Sequence, residues 1–182
     1  VGTKPIVQLL HRLGVNSAIG EDLSSVALGS SSVSLMEIAA AYGAVANGGI
    51  AVKPTAVRST RDRRGDLVWS AVPDRQQATS PQGAYVLTSL LEGVIQRGTA
   101  SKANVMGFHG AVAGKTGTTD GYRDAWFVGY TSDVVIGVWV GFDDERPLRL
   151  TGSQAALPIW MELARRVIPP NVPAFVMPPG VV

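Results

Sequence analysis

The spacing of hydrophobic residues changes along the chain from a helical period to an extended one and back again. Up to residue 98 most apolar runs repeat every three or four positions, whereas residues 111–142 are mostly β-branched, aromatic and glycine. A final helical pattern covers residues 153–168. This order predicts an α+β domain over residues 1–168, in which helices pack on an antiparallel β-sheet, and a proline-rich tail over residues 169–182.

Boundary signals predict four helices. Thr3 is a candidate N-cap with Pro5 in the first turn, Ser34 and Glu37 form a capping box, and Ser80–Pro81 opens the third helix. The predicted helices are Thr3–Leu13, Ser34–Ala46 ending at Asn47-Gly48-Gly49, Pro81–Arg97 ending at Gly98, and Ser153–Ile168. The predicted buried faces of the last two are Tyr85, Leu87, Leu90, Leu91, Val94 and Ile95, then Ala156, Ile159, Trp160, Leu163, Ala164 and Val167.

The extended patterns predict two groups of strands. Ile50–Thr60 and Asp66–Ala71 flank the turn sequence Asp62–Gly65 and predict a hairpin. Three later strands are predicted over Ala111–Thr118, Ala125–Thr131 and Val134–Phe142. Only Ser132 and Asp133 separate the last two, which requires antiparallel pairing, and the third is apolar on both faces, which is typical of a central strand. A short apolar element, Val26–Leu28, lies in the connection before the second helix.

Composition narrows the classes of function. The 182 residues carry a net charge of +2 without any block of like charge, so nucleic acid is not an expected partner. With no cysteine and two histidines, the chain has few ligands for a metal, and we expect neither a metal nor a cofactor. The longest apolar run, Val134–Phe142, is far shorter than the about 20 residues of a membrane-spanning helix. The chain lacks an initiator methionine, so we expect it to start inside a longer protein.

Candidate chemistry concentrates in Gly110–Thr119, where one lysine, three threonines and several small residues end a predicted strand. Gly114-Lys115-Thr116 matches the end of a phosphate-binding loop, but two features exclude that motif. The loop requires a glycine at position 109, where this sequence has His109. It must also be followed by a helix, whereas strands are predicted here. Lys-Thr-Gly also occurs in active-site serine acyl transferases, where lysine and hydroxyl groups bind a substrate carboxylate. Two other charged groups, Arg63-Arg64 and Asp143-Asp144-Glu145, are interpreted as solvated turns rather than an anion site or an acid/base pair.

The surroundings of this motif resemble class A penicillin-binding proteins, the bifunctional peptidoglycan synthases. The resemblance extends over nearly the whole chain up to the last helix. The matching segments are Ala27–Gly29, Met36–Tyr42, Ala46–Gly49, Val94–Thr99, Val112–Gly121, Asp124–Tyr130 and Val138–Asp144. The resemblance implies the C-terminal part of a transpeptidase domain with the fold shared by penicillin-binding proteins and serine β-lactamases. It also implies peptidoglycan stem peptides as substrates, β-lactams as inhibitors, and a location outside the cytoplasm, anchored to the inner membrane by another segment.

Site roles follow from the resemblance only where residues match. Lys115 would lie opposite the nucleophile, supporting proton transfer and binding the substrate carboxylate, while Thr116 and Thr118 would bind the same carboxylate. The N–H group of Thr118 would complete the oxyanion hole, and Gly117 would leave room for substrate along the strand.

The sequence departs from the family in lacking its nucleophile. No Ser-x-x-Lys and no Ser-x-Asn occurs, since the residues three positions before Lys4, Lys53, Lys102 and Lys115 are Val1, Ile50, Thr99 and Val112. In one interpretation the serine lies on an upstream segment or a second chain that carries the N-terminal part of the domain. In a second, this polypeptide is a catalytically silent fragment that binds or packs; a serine β-lactamase relative is a third. We expect the isolated chain to be inactive.

Overall fold

The structure is a computed structural model that describes residues 2–20, 22, 26, 29–101, 111–169 and 171–181. The predicted element Val26–Leu28 lies mostly outside these residues, as do His109 and Gly110. The helices with described bounds are α1 (Thr3–Arg12), α2 (Leu35–Ala46), α3 (Pro81–Arg97) and α4 (Ala156–Val167). The strands are β1 (Ile50–Val52), β2 (Ser59–Arg61), β3 (Leu67–Ser70), β4 (Arg75–Gln77), β5 (Ala113–Thr118), β6 (Asp124–Tyr130) and β7 (Val135–Gly141).

The helix starts follow local side-chain chemistry in two of three predicted cases. Ser34 accepts a hydrogen bond from the Glu37 amide at 3.2 Å and Ser80 accepts one from the Gly83 amide at 3.1 Å, which confirms both caps. The prediction of Thr3 as a cap was wrong: Thr3 is already the first helical residue, and Gly2 precedes it without a side-chain cap. Pro5 fits the first turn of this helix, because its ring fixes φ and the amide proton that it lacks has no partner within the helix there.

Glu37 joins the start of α2 to the preceding loop. Its carboxylate accepts hydrogen bonds from the Ser17 hydroxyl at 2.7 Å, from the amides of Asn16 and Ser17 at 2.8 Å each, and from the Ser34 amide at 2.9 Å. These donors, the Ser17 hydroxyl foremost, lower the pKa of Glu37 from 4.5 to about 2, because they stabilise the charged form.

An antiparallel sheet in the order β5-β6-β7 organises the fold. The predicted hairpin between the second and third of these strands is confirmed, with Tyr130 opposite Val135. The prediction of a central third strand was wrong for the described sheet, because β6 is central and β7 lies at an edge. Helices nevertheless cover β7 on both faces, as its apolar pattern predicts, with α2 on one side and α4 on the other.

Each face of the sheet contributes to its own hydrophobic cluster. On the α4 side, Trp160 is fully buried, donates its indole N–H to the Ile136 carbonyl at 3.0 Å, and packs edge-on against Phe127 with ring centroids 5.1 Å apart. On the α2 side, Tyr130 is fully buried and its hydroxyl is 2.9 Å from that of Thr88 in α3. Desolvation raises the pKa of Tyr130 to about 12, so this tyrosine stays neutral and hydrogen-bonded in the core.

The predicted buried faces of α3 and α4 are confirmed only in part, at Leu91 and Ile95 in α3 and at Ala156, Trp160 and Ala164 in α4. In α3, Ala84, Thr88, Leu91 and Ile95 are buried, whereas Leu87 and Leu90 are 41% and 67% exposed. In α4, Ala156, Leu157, Trp160, Met161 and Ala164 are buried, whereas Ile159, Leu163 and Val167 are 52%, 43% and 46% exposed. Both helices carry large apolar side chains on more than one side, so the sequence pattern alone does not determine which side contacts the sheet.

The predicted hairpin around Asp62–Gly65 is confirmed, but the residues before it do not form one continuous strand. Strands β2 and β3 pair antiparallel around Asp62–Gly65, and every residue in both is exposed. The predicted single strand Ile50–Thr60 divides instead, because β1 pairs with β4, which lies beyond the hairpin. Pro54 lies in the interruption, where a residue without an amide proton cannot donate to a sheet.

The described C-terminal residues have neither helix nor strand, as the prolines predict. They nevertheless contact the domain: Phe175 packs against Tyr130 with centroids 5.6 Å apart, and the Pro179 carbonyl accepts a hydrogen bond from Gln82 at 2.9 Å. Among the described residues, no helix combines the length and apolarity that crossing a membrane requires.

Candidate functional site

Strand β5 contains the predicted site residues Lys115, Thr116, Gly117 and Thr118 and lies at the edge of the described sheet. Backbone groups of an antiparallel strand point alternately toward and away from the partner strand. The Thr119 amide donates to the Asp124 carbonyl of β6 at 3.1 Å, which fixes the phase of this alternation. The amide and carbonyl groups of Thr116 and Thr118 therefore point away from β6, toward the free edge.

Side chains of β5 alternate between the two faces of the sheet. Lys115 is exposed on the same face as Ala113, the face that α2 covers, and its amino group reaches back to the Thr116 carbonyl at 2.9 Å. Because that carbonyl points to the free edge, the lysine amino group also lies there. Lys115 forms no ion pair with any carboxylate in the described part of the chain, so its charge remains available to an anionic ligand.

The hydroxyls of Thr116 and Thr118 lie on the opposite face from Lys115, and each has a partner from another element. The Thr116 hydroxyl is 2.8 Å from the Thr99 hydroxyl, which follows α3. The Thr118 hydroxyl accepts a hydrogen bond of 3.0 Å from the Gly152 amide, which precedes α4. Two elements distant in sequence therefore hold the threonine side chains of β5.

Gly152 fits against β5 only because it lacks a side chain. A Cβ atom at this position would lie 2.5 Å from the Gly117 carbonyl oxygen and 3.2 Å from the Gly117 nitrogen, and it would also overlap the Trp126 carbonyl. The first turn of α4 holds Gly152 in place, because the Gly152 carbonyl accepts hydrogen bonds from the amides of Ala156 and Leu157 at 3.1 and 2.9 Å. The segment before α4 thus supports the C-terminal end of β5.

Asp124 closes the turn between β5 and β6. Its carboxylate accepts hydrogen bonds from the Thr119 hydroxyl at 3.0 Å and from the Trp139 indole at 2.8 Å, and its amide donates to the Thr119 hydroxyl at 2.9 Å. The turn contains two residues in the left-handed region, Gly121 and Tyr122, with φ of 72° and 57°. The carboxylate therefore joins β5, β6 and β7 at the end of the sheet where the threonines lie.

Lys115, Thr116 and Thr118 all lie in the edge strand β5, with the Lys115 amino group at the free edge and the two threonine hydroxyls on the α4 side of the sheet. A Cβ at Gly117 would lie 3.1 Å from the Cβ of Trp126, the cross-strand neighbour. The missing side chain thus accommodates Trp126 in this structure.

Sequence reasoning missed three residues that support the site. Thr99 and Asp124 lay within segments quoted for the family resemblance, but nothing local indicated their contacts with Thr116 and Thr119. Gly152 lies in Thr151-Gly152-Ser153, directly before the predicted start of α4, and only the signal of a glycine beside a helix start could have drawn attention to it.

Comparison with known proteins gives consistent matches. The family model described as "Penicillin binding protein transpeptidase domain" matches residues 8–164. Penicillin-binding protein 1A of Aquifex aeolicus is 35% identical over 169 residues, covering 92% of this chain and 23% of that protein. Penicillin-binding protein 1B of Vibrio cholerae is 34% identical over 169 residues, covering 93% and 22%. The chain thus spans about a quarter of the length of these relatives.

Solved structures agree in fold. The crystal structure of penicillin-binding protein 1A from Haemophilus influenzae matches with a TM-score of 0.88 at 23% identity, covering 100% of this chain and 33% of that one. The PonA1 protein of Mycobacterium tuberculosis in complex with penicillin V matches with a TM-score of 0.77 at 23% identity, covering 97% and 52%. At this identity the likeness concerns the fold.

Proposed function

We propose, because this chain belongs to the penicillin-binding protein transpeptidase family, that it forms the C-terminal part of a domain that cross-links peptidoglycan stem peptides by serine acyl transfer. The observation that carries the proposal is the free edge of β5. Lys115 offers a positive charge there, and Thr116 and Thr118 offer hydroxyls and outward-pointing backbone groups. A peptide that ends in a carboxylate can bind along such an edge as an additional strand.

In this proposal the lysine and the two threonines bind the C-terminal carboxylate of the stem peptide. A carboxylate only accepts hydrogen bonds, and Lys115, Thr116 and Thr118 together supply an ammonium group and two hydroxyls. Charge-assisted bonds of this type are about twice as strong as neutral ones. The same groups explain β-lactam binding, because those compounds also carry a carboxylate beside the reactive carbonyl.

The outward-pointing amide of Thr118 is proposed as one donor of the oxyanion hole. A backbone N–H fixed in a strand needs no reorganisation when negative charge develops on the carbonyl oxygen of the substrate. The serine oxygen attacks the penultimate D-alanine carbonyl and gives up its proton, the peptide C–N bond breaks, and the terminal D-alanine takes that proton and leaves as a neutral amine. An amine of a second stem peptide then attacks the ester, forms the new amide bond, and releases the serine with its proton. Lys115 supports these proton transfers.

The nucleophile is proposed to lie outside this sequence, on an upstream segment or a second chain that carries the N-terminal part of the domain. Neither Ser-x-x-Lys nor Ser-x-Asn occurs in the 182 residues. Two surfaces support a missing neighbour. The outer edge of β7 pairs with no described strand, and Ile159, Leu163 and Val167 form an exposed apolar stripe along α4. Because peptidoglycan lies outside the cytoplasmic membrane, we place the protein there.

Labelling with fluorescent penicillin tests this function. We expect the full-length protein to form a covalent adduct and the isolated 182 residues to form none. In the full-length protein, Lys115→Ala should slow acylation about 10- to 100-fold, the range for a hydrogen bond to a charged group. Lys53→Ala, in an exposed loop, is the matched control and should leave the rate unchanged.

The alternatives give different results in the same experiment. A catalytically silent fragment that only binds or packs predicts no adduct in the full-length protein. A serine β-lactamase relative predicts an adduct that hydrolyses rapidly with accumulation of penicilloate. An adduct on the isolated chain would contradict the proposal that its nucleophile lies elsewhere.

A further inference from the structure

We propose that Thr99 is a positioning residue. Its hydroxyl donates a hydrogen bond to the Thr116 oxygen and thereby directs the Thr116 hydroxyl proton toward the anionic group of the ligand. This inference rests on the proposed function, since it concerns how the carboxylate-binding hydroxyls are oriented. It adds a residue to which neither the family motif nor the strand itself assigns a role.

The polarity of the Thr99–Thr116 contact follows from the ligand. The two hydroxyl oxygens are 2.8 Å apart, and either could donate. A hydroxyl has one proton, and a carboxylate accepts but does not donate. If Thr116 donates its proton to the carboxylate, Thr99 must donate to Thr116. The two bonds then run in one direction, from Thr99 through Thr116 to the ligand, an arrangement in which each bond strengthens the next.

The Thr118 hydroxyl also has a hydrogen-bond partner from another element, and here the structure determines which group donates. Its partner is the amide of Gly152, which can only donate, at 3.0 Å. The Thr118 oxygen is therefore the acceptor in that bond, and its own proton is left to point elsewhere. The hydroxyl oxygens of Thr116 and Thr118 thus each have a neighbour on the same face of the sheet that can donate a hydrogen bond. The proton of each threonine hydroxyl then remains available for a ligand.

Thr99 occupies a well-fixed position between two constrained residues. Before it, the Gly98 amide donates to the Val94 carbonyl at 3.0 Å, and a Cβ at Gly98 would lie 2.8 Å from the Val94 Cα. After it, Ala100 is fully buried, and its amide also donates to Val94 at 3.3 Å. The chain therefore turns tightly over the last turn of α3 and holds Thr99 beside β5. The Thr99 side chain itself remains accessible from solvent.

The test compares β-lactams with and without the carboxylate in the full-length protein. Thr99→Val keeps the shape of the side chain and removes the hydroxyl. We expect it to slow acylation by benzylpenicillin roughly three- to tenfold, the effect of one hydrogen bond. Acylation by benzylpenicillin methyl ester should change less than about twofold, since its ester group accepts hydrogen bonds only weakly. Thr99→Ser should restore the wild-type rate with benzylpenicillin.

Controls separate positioning from stability and from the function itself. Thr60→Val, in the exposed hairpin, should leave both rates unchanged. In a Thr116→Val background, Thr99→Val should have no further effect, because the chain of hydrogen bonds is already broken. Two results for Thr99→Val would overturn the role of Thr99. One is an equal loss of acylation rate with both compounds together with a lower melting temperature, and the other is an unchanged rate with benzylpenicillin. A wild-type protein that penicillin does not acylate would instead refute the proposed function.

Discussion

Replacing Gly152 by alanine is expected to destabilise the domain through close contacts with the backbone carbonyls of Gly117 in β5 and Trp126 in β6. The new Cβ would lie 2.5 Å from the Gly117 carbonyl oxygen, where contacts below 3.0 Å essentially do not occur. The segment before α4 and the strand must therefore separate by about 0.5 Å, an overpacking that costs about 1–3 kcal/mol. The hydrogen bond from Gly152 to Thr118 weakens at the same time, which costs up to about 1 kcal/mol.

A stabilising effect opposes these costs. Alanine restricts the unfolded chain more than glycine does, which favours folding by about 0.4–1 kcal/mol. The net loss is about 2 kcal/mol, and for a domain of this size we expect the melting temperature to fall by about 4–8 °C. Scanning calorimetry of the full-length protein measures this change. Acylation by penicillin should also slow, because Thr118 loses the partner that orients its hydroxyl.

Gly93→Ala is the matched control for the same chemical change. Gly93 lies inside α3, and a Cβ there would meet only the Arg97 side chain, at 3.8 Å. Because alanine favours helix by up to about 1 kcal/mol over glycine, this variant should be as stable as wild type or more so. If Gly152→Ala and Gly93→Ala raise the melting temperature equally, the close contact does not constrain the protein and the reasoning is refuted.

Three further experiments, with four substitutions, test the fold. Asp124→Ala removes the acceptor for Thr119 and Trp139 and should lower stability by about 1–3 kcal/mol, measured by urea unfolding; an unchanged midpoint would show that the turn closes without the carboxylate. Leu91→Ala should lower the free energy of unfolding by about 2–5 kcal/mol and Leu90→Ala by less than about 0.5 kcal/mol, because Leu91 is 9% exposed and Leu90 is 67% exposed. Equal losses in urea unfolding would contradict the described buried face of α3. For Glu37, whose folded pKa is lowered to about 2, the stabilisation is complete above pH 4.5 and is lost as the pH falls toward 2, so Glu37→Gln should flatten this part of the stability profile.

The local elements could be predicted because local chemistry determines them. The capping box of Ser34 and Glu37 and the Ser80–Pro81 start lie within a few residues of the groups that they satisfy, and the two-residue link at Ser132–Asp133 allows only an antiparallel pair. The buried faces of α3 and α4 could not be predicted in the same way. Both helices carry apolar residues on more than one side, so the contact with the sheet decides which side is buried.

The chemistry of β5 was likewise available from the sequence, since Lys115-Thr116-Gly117-Thr118 and its flanking motifs identify the family. The sequence alone did not indicate which residues orient these side chains. Thr99 is 17 residues and Gly152 is 34 residues from the threonine that each contacts. No spacing rule links positions so far apart. Only the packing of α3 and α4 against the sheet brings the Thr99 hydroxyl and the Gly152 amide to one face of β5, and so decides how the threonine hydroxyls are held.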